Sequence, residues 1–150
     1  MDTWRLATKL AEKHRTRNPF RIAEDLGIIV IKYPLIGIRG FQQRVKRRKI
    51  IYINSDLDDH QQKIVCAHEL GHIILHSGMN RIFLNQSTNL VAQKFENEAN
   101  FFSVDLIFSD DDLIPLLDQS LDVAAAAMGV STALALHRLR HIDQKGSFDI

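Results

Sequence analysis

The chain has one cysteine, Cys66, and so no means of closing an internal disulfide, which sets aside the disulfide-stapled secreted domains. Three prolines and seven glycines in 150 residues are too few for a collagen-like or low-complexity polymer. No apolar run approaches the roughly 18 to 20 residues needed to span a bilayer. The start of the chain, MDTWRLATKLAEKHRTR, has neither the apolar stretch nor the cleavage pattern of a signal peptide. These absences make a cytoplasmic protein with no membrane contact the expectation. Charge of one sign is also missing: nineteen Lys and Arg oppose eighteen Asp and Glu, leaving a formal charge of +1. The totals therefore do not describe a polyanion binder, and direct nucleic-acid binding is not expected. What is present is ordinary globular material, 45% hydrophobic and 25% charged, in about one domain's length of chain.

Periodicity organises that length. Residues 3 to 17 place Trp4, Leu6, Ala7, Leu10 and Ala11 on one face, which predicts an amphipathic helix. Asn18 and Pro19 read as the N-cap and first residue of a second short helix that Gly27 stops. From Ile28 the pattern becomes β-branched: IIVIKY, IRGFQQRV and KIIYIN predict a small sheet, with a hairpin across the basic link between the last two. Ser55 with Asp58 reads as a capping box opening a central helix over residues 56 to 77. After a polar loop, residues 88 to 108 carry an apolar stripe of Val91, Phe95, Ala99, Phe102 and Leu106. The cluster Ser109-Asp110-Asp111-Asp112 caps a short helix holding Pro115, and residues 122 to 128 and 131 to 142 give two helices joined at Gly129. The expected fold is α+β: a small sheet with a hairpin packed on the central helix, and a helical C-terminal half. Residues 1–150 read as a single domain, with helices over about residues 110–142 as part of it.

The central helix contains His68-Glu69-Leu70-Gly71-His72, an HExxH motif. At about 100° per residue, His72 lies about 40° from His68, and Leu57, Gln61, Ile64 and Leu75 fall on the same face, so two imidazoles leave a face that should be buried. Two zinc ligands one turn apart, with Glu69 beside the metal and not on it, account for this better than a pair of core histidines. A catalytic zinc needs a third protein ligand and an open position. His76 lies about 12 Å along the helix from His68, too far to join it, and Cys66 is turned about 160° away and reads as a small buried hydrophobe. Glu96 and Glu98, on opposite edges of the next long helix's stripe, remain the alternatives, and periodicity does not choose between them.

HELGHIILH followed about twenty residues later by E-x-x-A-N-x-F resembles the ImmA/IrrE family of metallopeptidases. NPFRIAEDLGIIVI is similar to the family's N-terminal helix and strand, RGFQQRVKRRKIIYINSDL to its hairpin, and residues 109 to 142 to its closing helices, so the resemblance covers nearly the whole chain. It implies Glu96 as the third zinc ligand and one Zn2+ per chain. Glu98 matches a position where the family varies. Asn100, one turn after Glu96, is placed to hold a ligand in orientation. Ser103 departs from the family's usual alanine. The resemblance further implies a zinc-dependent endopeptidase, with Glu69 taking the proton of the attacking water and returning it to the leaving amine. Its substrate would be a helix-turn-helix repressor of a mobile element, phage or stress response, cut at a specific site. Tyr52, His137, Arg138 and His141 are weaker candidates for stabilising the oxyanion, and the substrate would lie extended along an exposed sheet edge.

A reading from another class competes. Arg44-Val45-Lys46-Arg47-Arg48-Lys49 puts five positive charges in six residues, and DVAAAAMGVSTALALHRLRHI has the outline of a helix-turn-helix. Together they describe a DNA-binding or repressor-binding regulator without proteolytic activity. Against it, the basic run sits where a solvated hairpin turn belongs, and the would-be recognition helix is rich in Ala and Leu.

Overall fold

The computed structural model describes residues 1–76 and 89–142. Helix α1 (Thr3–His14) is capped by Asp2, whose side chain accepts from the Arg5 amide at 3.0 Å. It ends at Arg15, in the left-handed region at φ 57°, three residues before the sequence pattern fades. Helix α2 (Pro19–Asp25) starts as its residues dictate, with the Asn18 side chain accepting from the Phe20 amide. The polar loop expected after residue 77 and the last eight residues lie outside the described residues.

Strands β1 (Ile29–Tyr33), β2 (Gly40–Val45) and β3 (Arg48–Asn54) form one sheet in the order β1-β3-β2. β1 runs parallel to β3, with Ile31 opposite Tyr52. β2 and β3 are the expected hairpin, closed between Val45 and Arg48 across Lys46, at φ 59°, and Arg47. Alternation along β3 gives each face its task. Ile51 and Ile53 are fully buried on the core side, and Tyr52 points the other way to stack on Phe41 at 4.5 Å.

Helix α3 (Asp59–Leu75) begins later than the Ser55 capping box predicts. The Ser55 amide is already committed to the Tyr33 carbonyl at 3.0 Å, extending the strand pairing, so the chain turns once more and Asp58 caps the helix by accepting from the Gln61 amide at 2.7 Å. α3 has no solvated face to speak of. Its buried residues, among them Ile64, Val65, Cys66, Ala67, Leu70 and Ile73, surround the axis because the sheet, α2 and the next helix all pack on it.

That next helix, α4 (Asn89–Ile107), lies along α3, with α1 on its outer side. Its stripe buries Ala99, Phe102 and Leu106 completely. The α3–α4 contact is tight at one point: a Cβ on Gly71 would stand 2.9 Å from Phe102 Cδ1 and 3.4 Å from the Ala99 carbonyl oxygen. Only glycine lets the two backbones approach this far. The C-terminal end of α4 is closed by Arg17, whose guanidinium donates to the carbonyls of Asp105 and Leu106.

Helix α5 (Asp110–Leu113) carries the expected capping box, formed by Ser109 and Asp112, and Pro115 sits in a tight turn just after it. Helices α6 (Leu121–Met128) and α7 (Thr132–Leu139) meet at Gly129, whose φ of 71° favours a residue without a Cβ. Leu113, Ala125, Met128, Ala135 and Ile142 form their own small core. The architecture is α+β. Gly71→Ala should lower stability by about 1–3 kcal/mol in urea unfolding, because overpacking against the Phe102 ring outweighs the roughly 1 kcal/mol that alanine gains in a helix; an unchanged or raised midpoint would show that the α3–α4 contact has slack.

Candidate metal centre

His68 and His72 leave α3 one turn apart, with ring centroids 4.8 Å apart and planes at 85°. Neither is core: their side chains keep 17% and 16% of their exposure, enough for a ligand or water to reach them. Across from them, Glu96 on α4 reaches His72 Nε2 with Oε1 at 2.7 Å and His68 Nε2 with Oε2 at 3.2 Å. All three potential ligand atoms lie within 4.8 Å of one another. A tetrahedral zinc with bonds of about 2.0–2.2 Å needs donor atoms roughly 3.3 Å apart, so these residues suit such an ion in both type and spacing.

The other acidic candidate goes elsewhere. Glu98, two residues on, is buried, and its Oε2 finds no hydrogen-bond partner among the described residues. Its charge acts on His76 and not within the His68–His72–Glu96 group. Asn100 hydrogen-bonds the His68 ring from the same helix as Glu96. Ser103 is buried with its hydroxyl donating to the Asn100 carbonyl at 2.7 Å, so the hydroxyl that replaces the expected alanine is satisfied.

Titration follows from this geometry. Burial pulls the His68 pKa down, but the hydrogen bond His68 donates to Glu96 and the charges of Glu69 and Glu96 outweigh it and hold the group above its ordinary value. Glu96 is held far below the carboxylate range by its bonds to His68 and His72. Glu69 moves the other way: burial raises its pKa, and the opposing pull of both imidazoles does not cancel that. Glu69 is therefore a buried carboxyl, beside the group yet outside it, that takes up a proton more readily than a free glutamate does. Burial also raises Cys66, to about 12, which makes it an inert thiol.

His76 has a place that sequence reasoning missed. Too far along α3 to join His68, it sits with its Nδ1 3.1 Å from His72 Nδ1 and packs on the Phe95 ring at 4.4 Å. Burial lowers its pKa, which favours the neutral ring. The Glu96 carboxylate only accepts, so His72 donates to it from Nε2, the nitrogen that a metal would take in place of that proton. The signal in the sequence was the second four-residue step, His72 to His76.

The residues weighed for the oxyanion are not gathered here. Tyr52 faces away from α3 on the outer side of the sheet. Arg138 is fully buried, donating to the Phe108 carbonyl and to Asp110 at 2.8 Å each and lying over the Trp4 ring. That burial also weakens the helix-turn-helix reading, since the arginine of α7 best suited to a base edge points inward while Ala133 and Leu136 face out. No described helix is long and apolar enough to cross a membrane.

In the metal-free protein, Glu96→Gln should lower the His68 pKa, because it removes the charge and the charge-assisted bond that do most to raise it and leaves burial opposed only by Glu69 and Asn100. An NMR titration of His68 reads this directly, and an unchanged value would separate Glu96 from His68.

Comparison with known proteins agrees with the geometry. The profile of the peptidase family described as the IrrE N-terminal-like domain matches residues 13–140. Metallopeptidase ImmA of Bacillus subtilis (strain 168) is 30% identical over 141 residues, covering 90% of this chain and 80% of that protein. Uncharacterized immunity region protein 2 of Bacillus phage phi105 is 41% identical over 103 residues, covering 68% of this chain; the match spans 65% of the phage protein's length. A solved Mycobacterium tuberculosis transcriptional regulator shares the fold, with a TM-score of 0.63 at 17% identity over 95% of this chain and 47% of its own. The chain thus belongs to the ImmA/IrrE family of metallopeptidases, through its IrrE N-terminal-like domain.

Proposed function

We propose that this chain is a zinc-dependent endopeptidase, a single domain over residues 1–150, that cuts a helix-turn-helix repressor of a mobile element, phage or stress response at a specific site. The observation that carries the reading is the convergence of two helix-borne imidazoles and the Glu96 carboxylate, with buried Glu69 beside them and not among them. His68, His72 and Glu96 would hold the ion. Zinc bound there supplies Lewis acidity, polarising a peptide carbonyl and acidifying a water.

The chain's own residues supply the rest. Glu69, with its raised pKa, accepts the attacking water's proton and delivers it to the leaving amine. His76 and Asn100 fix the two imidazoles, so little reorganisation accompanies the reaction. Gly40, which opens β2, lies against Val65 on α3, one turn before His68. The β2 edge is thus the sheet edge nearer the site, where an extended peptide would gain main-chain hydrogen bonds. Two comparisons support a regulatory substrate: a relative named for a phage immunity region, and a fold shared with a transcriptional regulator.

Glu96→Gln should lose the zinc ion held at His68 and His72, one fewer per chain than the unmutated protein, while Glu98→Gln keeps it, as read by metal analysis after dialysis. The reverse result would transfer the ligand role to Glu98. Affinity for zinc should also weaken as pH falls through the raised His68 pKa, since that proton must leave before the ring can ligate.

Glu69→Gln should retain zinc and fold yet stop cleavage of a helix-turn-helix repressor from the same genetic locus, which the unmutated chain cuts at one or two sites while leaving casein largely intact. Undiminished cleavage by Glu69→Gln would remove Glu69 from the mechanism. Failure of the zinc-loaded unmutated chain to cut that repressor would favour antagonism by binding alone.

A further inference from the structure

Glu96 is not the only α4 carboxylate that faces a pair of imidazoles. Asp105 is nine residues further along, which places it about 180° around the helix and roughly 13.5 Å along its axis from Glu96. There it meets His137 and His141, spaced four apart like His68 and His72, with ligand atoms of all three residues within 4.8 Å of one another. We propose that Asp105, His137 and His141 form a second site, for a divalent metal of the zinc class, that clamps α7 and the N-terminal turn of α1 onto α4.

The side chains are held as ligands are held. Asp105 is completely buried, and its Oδ2 accepts from the Thr3 hydroxyl at 2.7 Å and lies 2.9 Å from His137 Nε2. Its other oxygen, Oδ1, is buried with no hydrogen-bond partner among the described residues. A buried carboxylate with one bare oxygen carries a substantial desolvation cost, which a bound cation would offset. Arg17 donates to the main-chain carbonyls of Asp105, Leu106 and Phe108 and Arg138 to Phe108 and Asp110, so the nearby guanidiniums direct their hydrogen bonds to groups other than the Asp105 carboxylate.

His141 Nδ1 lies 3.0 Å from the His137 carbonyl oxygen. A carbonyl only accepts, so Nδ1 carries a proton, and Nε2 is the nitrogen left for a metal. This is the tautomer of a metal-binding histidine whose remaining nitrogen is tied to the backbone. Both rings are fixed by stacking, His137 on Phe101 at 4.2 Å and His141 on Trp4 at 5.4 Å. Two imidazoles and one carboxylate repeat the donor set of the first centre, and they suit zinc for the same reason.

One difference assigns the second site a structural role. The residue after His68 is Glu69, free to handle protons, whereas the residue after His137 is Arg138, fully buried and committed to Phe108 and Asp110. Among the described residues, no carboxylate follows the second pair as Glu69 follows His68. A metal there would tie together three stretches distant in sequence, at Thr3, Asp105 and residues 137–141, and would stabilise the folded chain by mass action.

Zinc stoichiometry of the full chain after equilibrium dialysis tests this, with thermal unfolding as a second readout. The unmutated chain should hold two zinc ions, Glu96→Gln one, His141→Gln one, and the double variant none. Added zinc should raise the melting temperature of Glu96→Gln but not that of the double variant. Because the Glu96→Gln count needs no change at the second site, it stands even if a variant of His141 folds poorly. One zinc in the unmutated chain and none in Glu96→Gln, with a melting temperature that zinc does not move, would overturn the proposal and leave a hydrogen-bonded Asp–His pair. One zinc that Glu96→Gln keeps and His141→Gln loses would support the second site while overturning the first.

Discussion

The site depends on how closely α3 and α4 cross at Gly71. The two imidazoles and the carboxylate come from different helices, and no property of either helix alone fixes the distance between them. The absent side chain at position 71 does: with Phe102 and the Ala99 carbonyl drawn into the space a Cβ would occupy, α4 lies near enough for Glu96 to span both rings. Gly71 sits inside HExxH at a variable position of the motif. In this chain it is the residue that lets α4 bring Glu96 against both histidines of the motif.

The same closeness accounts for the electrostatics. α3 is packed by the sheet on one side and α4 on the other, so Glu69 is buried although it carries an ionisable group. Burial without a hydrogen-bonded cation raises its pKa, while Glu96, half exposed and bonded to both imidazoles, is driven the opposite way. Two carboxyls in one small region are thus pushed apart in acidity by their surroundings, the pattern expected where one binds and the other moves protons. Buried groups without full partners among the described residues, such as Glu98 Oε2, His76 Nε2 and Asp105 Oδ1, lie around the same two helices. Polar groups of this kind cost stability wherever they occur, and natural chains tend to carry such costs at functional sites.

Much of this was legible in the sequence because it rests on local rules. Asn18-Pro19, the hairpin over Lys46-Arg47, the Ser109–Asp112 capping box and the glycine between α6 and α7 each need only nearby residues, and each forms. The HExxH spacing likewise fixes two imidazoles on one face before any tertiary contact exists. What escaped was set by partners far along the chain. Ser55 caps no helix because Tyr33 takes its amide. Glu96 and Glu98 are equivalent by periodicity, and only the position of α3 makes one a partner of both histidines and buries the other. Arg138 looks like a surface cation in a helix-turn-helix until Phe108, Asp110 and Trp4 are seen around it.

The central claim, that this crossing builds a metal centre, is tested most directly by a crystal structure of the zinc-loaded protein with anomalous scattering recorded at the zinc edge. The account predicts a peak bonded to His68 Nε2, His72 Nε2 and a Glu96 carboxylate oxygen at about 2.0–2.2 Å, with the direct histidine–glutamate hydrogen bonds replaced. Full zinc occupancy elsewhere, with Glu96 still hydrogen-bonded to both imidazoles, would contradict it.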